Sequence, residues 1–169
     1  MNNSIDIALL QEHNVKDISK IGYLNHFYFI IVNKSILLKG GTLIAIDRKL
    51  PCTIGYSYFH PSSRLTTLYV NIFDTRLYFV NVYAPSGQNK EREREEFFEN
   101  ELMQSLITNT DNIILAGDWN SVLSRSDSAK PDNTPLSRAL KYIINNLRFK
   151  GSHSTQMHLY FPFKTINFN

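Results

Sequence analysis

The sequence has 169 residues, enough for one domain with a substantial core and short for two. Apolar residues make up 43% and charged residues 20%, and no apolar run is long enough to span a membrane. The net charge of +3 comes without a dense basic stripe, so nucleic-acid binding is permitted but not required. Cys52 is the only cysteine, which excludes an internal disulfide. With no secretory signal at the N-terminus, we expect an intracellular protein, in the nucleus or the cytoplasm.

The N-terminal half predicts short strands, because it is rich in β-branched and aromatic residues between turn signals. The predicted strands cover residues 5–10, 26–32, 42–46, 52–59, 65–73 and 76–83. Gly40 and Gly41 interrupt the chain before the third strand. Two prolines bracket the fourth, which is typical of an edge strand. Asp74 and Thr75 join the last two strands as a hairpin.

The C-terminal half predicts a helix over 91–108, with one apolar face and a run of alternating charges. Arg92 and Arg94 lie among glutamates, so we interpret them as part of a solvated helix face rather than as phosphate contacts. A buried strand follows at 112–116.

A polar loop over 124–134 precedes a second helix, which Thr134 and Pro135 begin. After Gly151 the apolar residues show no helical or strand periodicity. His153 and His158 are expected in loops or on the surface. Together these elements predict a mixed α/β (α+β) domain with much antiparallel sheet and helices on its outer faces.

Polar side chains follow three of the predicted apolar strands. Glu12 comes after the first strand, Tyr83 ends the hairpin, and Asp118 and Asn120 follow the strand at 112–116. Taken singly, each fits a solvated loop, a core aromatic or a turn former. Taken together, oxygen ligands from separate strand ends suit Mg²⁺ and a phosphate ester. Hydrolysis of such an ester also needs an orienter of water and hydrogen-bond donors for the developing charge.

Four segments resemble the endonuclease/exonuclease/phosphatase family, and in particular the apurinic-type endonuclease domain of non-LTR (LINE-like) retrotransposons. They are DIALLQEH at 6–13, GGTLIAI at 40–46, LYFVNVYAPSG at 77–87 and NIILAGDWNSVLS at 112–124. They occur in the family's order, and the resemblance is best over residues 5–123. It implies a four-layer α/β sandwich.

The resemblance also implies a role for each candidate residue. Glu12 matches the residue that binds the metal, Mg²⁺ with Mn²⁺ as an alternative, and Tyr83 matches the tyrosine that contacts the scissile phosphate. Asp118 matches the aspartate that orients or deprotonates the attacking water, and Asn120 the asparagine that stabilises the transition state. Arg64 is not placed in the site.

Two motifs of the family are missing. Relatives carry an upstream strand that ends in a metal-sharing asparagine, and a Ser-Asp-His type motif near the C-terminus. Residues 1–169 therefore predict a single partial domain, incomplete at both ends.

Three functions stay open. The first is a Mg²⁺-dependent, DNA-nicking endonuclease of a retrotransposon polyprotein. The second is a catalytically inactive remnant of that domain, and the third is a phosphatase or exonuclease relative. DNA is the expected partner, with Arg125 and Lys130 of the polar loop either contacting it or simply solvated. No membrane association is expected, and the oligomeric state is left open.

Overall fold

The computed structural model describes residues 5–15, 17–34, 40–87, 89–106, 112–121, 137–149 and 158–160. Two β-sheets form the centre of the fold. The smaller sheet is antiparallel, in the order β1-β3-β2, and consists of β1 (Ile7–Gln11), β2 (Tyr28–Asn33) and β3 (Thr42–Asp47).

The larger sheet has the order β4-β5-β6-β7-β8. Its strands are β4 (Cys52–Phe59), β5 (Leu65–Ile72), β6 (Thr75–Tyr83), β7 (Ile113–Asp118) and β8 (His158–Tyr160). The first three pair antiparallel, whereas β6, β7 and β8 run parallel to one another. As predicted, β4 is an edge strand among the strands that the structure describes.

Helices cover both outer faces. A 3-10 helix, Ile18–His26, follows β1 and is capped by the side chain of Asp17. A second helix consists of α1 (Glu91–Glu96), a π-helical segment (Phe97–Leu102) and α2 (Met103–Ser105), and is called the 91–105 helix below. The last helix is α3 (Arg138–Phe149). None of the described helices is long and apolar enough to cross a membrane.

Three apolar clusters separate four layers. Leu43 and Ala45 of β3 pack toward the 3-10 helix, while Ile44 and Ile46, on the opposite face, pack between the sheets. This alternation is what a strand buried on both faces requires. The third cluster packs the larger sheet against the 91–105 helix and α3 through residues that include Val80, Phe97, Phe98, Leu102 and Ile143. The predicted four-layer α/β sandwich is therefore confirmed.

His158, for which the sequence indicated a loop or a surface position, lies in strand β8. It pairs with Ile114, four residues before Asp118 along β7, so it lies about 13 Å along the strand from that end. A strand of only three residues is too short to show an alternating pattern in sequence. The predicted loop 124–134 with Arg125 and Lys130, the Thr134–Pro135 helix start and His153 lie outside the described residues.

Candidate active site

Glu12 and Tyr83 come from different sheets and meet at one end of the sandwich. Glu12 follows β1, Tyr83 ends β6, and the Tyr83 hydroxyl donates a hydrogen bond to Glu12 Oε1. The same hydroxyl lies 3.4 Å from Ser86 Oγ. Burial, and then the contact with Glu12, raise the pKa of the Tyr83 hydroxyl above its ordinary value. Tyr83 is therefore a hydrogen-bond donor at neutral pH.

Asp118 and Asn120 lie beside Tyr83 because β7 runs parallel to β6. The register places Asp118 opposite Tyr83, and the Ala84 amide donates to the Asp118 carbonyl at 2.8 Å. The Asn120 amide donates to Asp118 Oδ1 at 3.0 Å, and Asn120 Nδ2 donates to the Ala84 carbonyl at 2.9 Å. The structure thus brings all four predicted site residues to one edge of the fold.

The Asp118 carboxyl keeps accessible surface while protein atoms surround it closely. This partial desolvation raises its pKa above the ordinary value, and the negative charge of Glu12 adds to the effect. The hydrogen bond from the Asn120 amide acts in the opposite direction. Asp118 is thus a stronger proton acceptor than an ordinary surface aspartate, and water can still reach it.

Gly117 permits the close pairing of β6 and β7 just before Asp118. Its φ of +148° is strained for other residues, and a Cβ there would lie 1.9 Å from the Val82 carbonyl oxygen. The glycine of the GDWN motif is therefore required by the backbone that carries Asp118.

Two site residues have strained backbone conformations. Glu12 has a φ of 51° and Asn120 a φ of 44°, in the left-handed region that side chains other than glycine rarely adopt. Such strain concentrates at functional sites, where the surrounding structure holds it in place. Both residues are thereby marked by the structure independently of their sequence motifs.

Buried hydrogen bonds join the two sheets at this end. Asn81, which is fully buried, donates from Nδ2 to the carbonyls of Leu10 and Leu43 at 3.1 and 3.0 Å. Its Oδ1 accepts from Gln11 Nε2 at 2.6 Å. Because Gln11 precedes Glu12 and Asn81 is two residues before Tyr83, these bonds fix one half of the site against the other.

Arg64 contacts Tyr83, and this contact was not predicted from the sequence. Its guanidinium carbon lies 5.2 Å from the centroid of the Tyr83 ring, and Nη1 donates to the Tyr83 carbonyl at 3.5 Å. Arg64 therefore lies beside the site, in contact with Tyr83. The cause is the hairpin register, which puts residue 64 opposite residue 83.

Arg94 also differs from its prediction as a solvated residue, since only 3% of it is exposed. Its Nη1 donates to the carbonyls of Pro85 and Gly87, each at 3.0 Å. The guanidinium thus holds the loop after β6, which carries Ser86 next to the Tyr83 hydroxyl.

The donors at this edge fit a hard divalent cation. Glu12 and Asp118 are carboxylates close enough for one to raise the pKa of the other, and neither forms an ion pair with a described lysine or arginine. Oxygen donors with uncompensated negative charge are what Mg²⁺ selects. Within the described residues, no three His, Cys, Asp or Glu side chains gather at one point. Glu12 would therefore hold such an ion together with water and other oxygen donors.

Solved structures with the same fold include an exonuclease. A 3'-5' exonuclease (NExo) from Neisseria meningitidis aligns with 86% of this chain and 61% of its own, at 18% identity and a TM-score of 0.63. Truncated TDP2 from Caenorhabditis elegans aligns over 69% of this chain and 50% of its own, at 20% identity and a TM-score of 0.54. TDP2 from D. rerio, complexed with single strand DNA product, aligns over 77% and 53%, at 18% identity and a TM-score of 0.55.

The chain spans about half the length of these two TDP2 structures, and the low identities show a shared fold. Among curated proteins no significant match to the sequence was found. The model of one family, the Endonuclease/Exonuclease/phosphatase family, matches residues 2–168 of the sequence. Since this match covers nearly the whole chain and the fold agrees with it, the chain belongs to the Endonuclease/Exonuclease/phosphatase family.

Proposed function

We propose that this domain is a Mg²⁺-dependent phosphodiesterase that nicks DNA, with water attacking phosphorus. The observation that carries the proposal is the convergence of Glu12, Tyr83, Asp118 and Asn120 at one edge of the sandwich. Two of them keep left-handed backbone conformations there. An orienter of water, hydrogen-bond donors and an anionic cation ligand are the groups that phosphodiester hydrolysis needs.

Each side chain has a step that its contacts allow. Asp118, whose pKa is raised, orients the attacking water and accepts its proton. Asn120 uses one amide hydrogen on the Ala84 carbonyl, and its second, which has no partner among the described residues, would stabilise an oxygen of the transition state. The Tyr83 hydroxyl, which donates to Glu12 Oε1 in this structure, would turn to donate to the scissile phosphate when the substrate binds. A Mg²⁺ held by Glu12, or Mn²⁺ in its place, would neutralise charge on the phosphate oxygens.

DNA as the substrate is supported by two sequence motifs and by a solved structure of the same fold. The VNVYAP and LAGDWN segments resemble those of non-LTR retrotransposon endonucleases, and on this resemblance we propose the endonuclease portion of a retroelement polyprotein. A relative of the same fold was solved with single strand DNA product. We further propose that residues 1–169 belong to a single domain, and that it acts inside the cell, in the nucleus or the cytoplasm.

Two other functions are weighed against this one. A catalytically inactive relative is favoured by the small ligand set, because the described residues offer only Glu12 and Asp118 as neighbouring carboxylates. A phosphatase or exonuclease is favoured by NExo, which is an exonuclease of the same fold.

Nicking of supercoiled plasmid in Mg²⁺ tests the proposal. The wild type is compared with Asp118→Asn and with Asp74→Asn, which makes the same chemical change at an exposed turn. We expect nicked circles from the wild type and Asp74→Asn, and a rate about 10²–10⁴-fold lower for Asp118→Asn. Equal rates for all three proteins would contradict the role of Asp118.

Parallel assays separate the three functions. Release of mononucleotides from an end-labelled strand would favour an exonuclease, and turnover of a small phosphomonoester would favour a phosphatase. A folded protein that cleaves none of these substrates in Mg²⁺ or Mn²⁺ would contradict the proposal and favour the inactive relative.

A further inference from the structure

His13 follows Glu12 directly and is buried, with 6% of its surface exposed. Its Nδ1 accepts a hydrogen bond from the Val15 amide at 3.0 Å. The proton is therefore on Nε2, which donates to the Asn33 carbonyl at 3.1 Å. Both ring nitrogens are used inside the protein, so His13 is available neither as a metal ligand nor as a proton carrier.

The backbone on both sides of His13 is strained. Glu12 and Asn14 each have a φ of 51°, so His13 lies between two left-handed residues. The conformation of Glu12 needs external support, because glutamate, unlike glycine or asparagine, rarely adopts it. The hydrogen bonds of the His13 ring to Val15 and Asn33 provide that support on either side.

The position of the His13 ring depends on the absence of a side chain at Gly41. A Cβ on Gly41 would lie 2.8 Å from Nε2 and 3.0 Å from Cε1 of His13, so the ring rests directly on the Gly41 backbone. The Gly41 amide donates to the Ser63 carbonyl at 3.0 Å, which ties this backbone to the turn between β4 and β5. The second glycine of the GGTLIAI segment is thereby explained by contact with His13.

Asn33 carries the connection to the larger sheet. While its carbonyl accepts from His13, its Nδ2 donates to the carbonyls of His60 and Leu65 at 3.1 and 3.0 Å. Leu65 begins β5, next to the residue whose carbonyl accepts from the Tyr83 amide. A chain of buried bonds therefore runs from His13 to the backbone beside Tyr83.

We infer that His13 is a positioning residue: it holds Glu12 in its left-handed conformation opposite Tyr83 and so preorganises the cation site. The cation part of this inference rests on the proposed function, whereas the conformational part does not. Groups that orient a metal ligand from behind typically change metal affinity 10- to 100-fold when they are removed.

The conformational part is tested by NMR without any metal. Backbone ¹³Cα and ¹³Cβ shifts of Glu12 and Asn14 report their φ, and are compared between the wild type and His13→Phe. Tyr78→Phe is the control, because it removes a side-chain hydrogen bond away from Glu12, the partly buried one from the Tyr78 hydroxyl to the Ser105 carbonyl at 2.9 Å. We expect the shifts to move only in His13→Phe. In His13→Gln, which keeps an amide donor, a smaller change is expected.

The cation part is tested by Mn²⁺ titration, with the free ion followed by electron paramagnetic resonance. We expect binding about 10- to 100-fold weaker in His13→Phe, and unchanged binding in Tyr78→Phe. In a Glu12→Gln background, His13→Phe should have no further effect, because the ligand that it positions is already lost.

The outcomes separate the two ideas. Wild-type shifts and wild-type Mn²⁺ affinity in folded His13→Phe would overturn the inference. If Glu12→Gln leaves Mn²⁺ binding unchanged, the proposed cation site is wrong, and the shifts still decide whether His13 positions Glu12. If His13→Phe does not fold, His13→Leu, which also lacks the hydrogen bonds of the ring, decides by the same shifts: wild-type shifts contradict the inference and displaced shifts support it.

Discussion

Replacing Asn81 with leucine should measure how strongly the two halves of the site are fixed together. Asn81 is 0% exposed and makes three hydrogen bonds across the sheets, to the carbonyls of Leu10 and Leu43 and from Gln11 Nε2. Leucine has the same number and branching of side-chain heavy atoms as asparagine, so the change removes the bonds without opening a cavity. At about 1 kcal/mol for each bond, the free energy of unfolding should fall by about 3 kcal/mol.

Urea unfolding followed by fluorescence measures this change, with the denaturant slope m checked for constancy. For a chain of this size the same loss lowers Tm by about 6–12 °C, at roughly 2–4 °C per kcal/mol. Asn71→Leu is the matched control, because Asn71 is an exposed asparagine on the neighbouring strand β5. Its effect should stay within about 0.5 kcal/mol.

The result that would refute this reasoning is a stability of Asn81→Leu equal to that of Asn71→Leu. The hydrogen bonds of Asn81 would then contribute nothing net to the free energy of unfolding. If the reasoning holds, plasmid nicking by Asn81→Leu should be lost even below its melting temperature, because Gln11 no longer holds the segment before Glu12 against β6.

Three further predictions follow from single residues. Burial and the charge of Glu12 raise the pKa of Asp118, so folding takes up a proton in the pH range between its ordinary and its raised pKa. The free energy of unfolding therefore falls as the pH rises through that range. Asp118→Asn should unfold at a higher urea concentration than the wild type at neutral pH, and this difference should shrink toward acid pH. In fluorescence anisotropy titrations with duplex DNA, Arg64→Gln should reduce the slope of the logarithm of the binding constant against log salt by about 0.9, the value for one phosphate contact. Arg48→Gln, which removes another arginine that packs on an aromatic ring, should leave the slope unchanged. Equal slopes for the two variants would contradict this prediction. Phe73 is 75% exposed with a φ of 52° at the hairpin turn, so Phe73→Gly should raise the free energy of unfolding by about 0.5–1 kcal/mol in urea, and a loss would contradict the strain argument.

Most of the site could be predicted because it depends on local sequence. Apolar strands that end in Glu12, Tyr83 or Asp118 carry their polar residues to the edge of the sheet wherever the strands are placed. The hairpin turn at Asp74 could have supplied one residue more. Moving away from the turn, from the pair Ile72 and Thr75, residue numbers fall along β5 and rise along β6. Eight positions on, residue 64 stands opposite residue 83, which is where Arg64 contacts Tyr83.

The remaining features depend on tertiary contacts that leave no periodic signal. Arg94 has the surroundings of a solvated helix face in the sequence, and it is buried because two carbonyls of the loop after β6 need its donors. The 3-10 helix Ile18–His26 does not follow the 3.6-residue period on which helix prediction relies. The contact of His13 with Gly41 joins segments that are distant in sequence, and only the assembled sheets bring them together.

Apolar and polar contacts have different roles in this fold, because the residues of the site come from two separate sheets. The cluster between the sheets, built on residues such as Ile44, Leu68 and Phe79, stabilises the sandwich, but apolar packing is not directional and sets orientation weakly. Hydrogen bonds are directional, and those of Asn81 and Asn33 lie at the end where Glu12 must face Tyr83. Buried polar groups without partners are costly, so these bonds allow few alternative registers of one sheet on the other. The geometry of the site is thus determined by a few polar contacts, while the free energy of the fold comes mainly from its three apolar clusters.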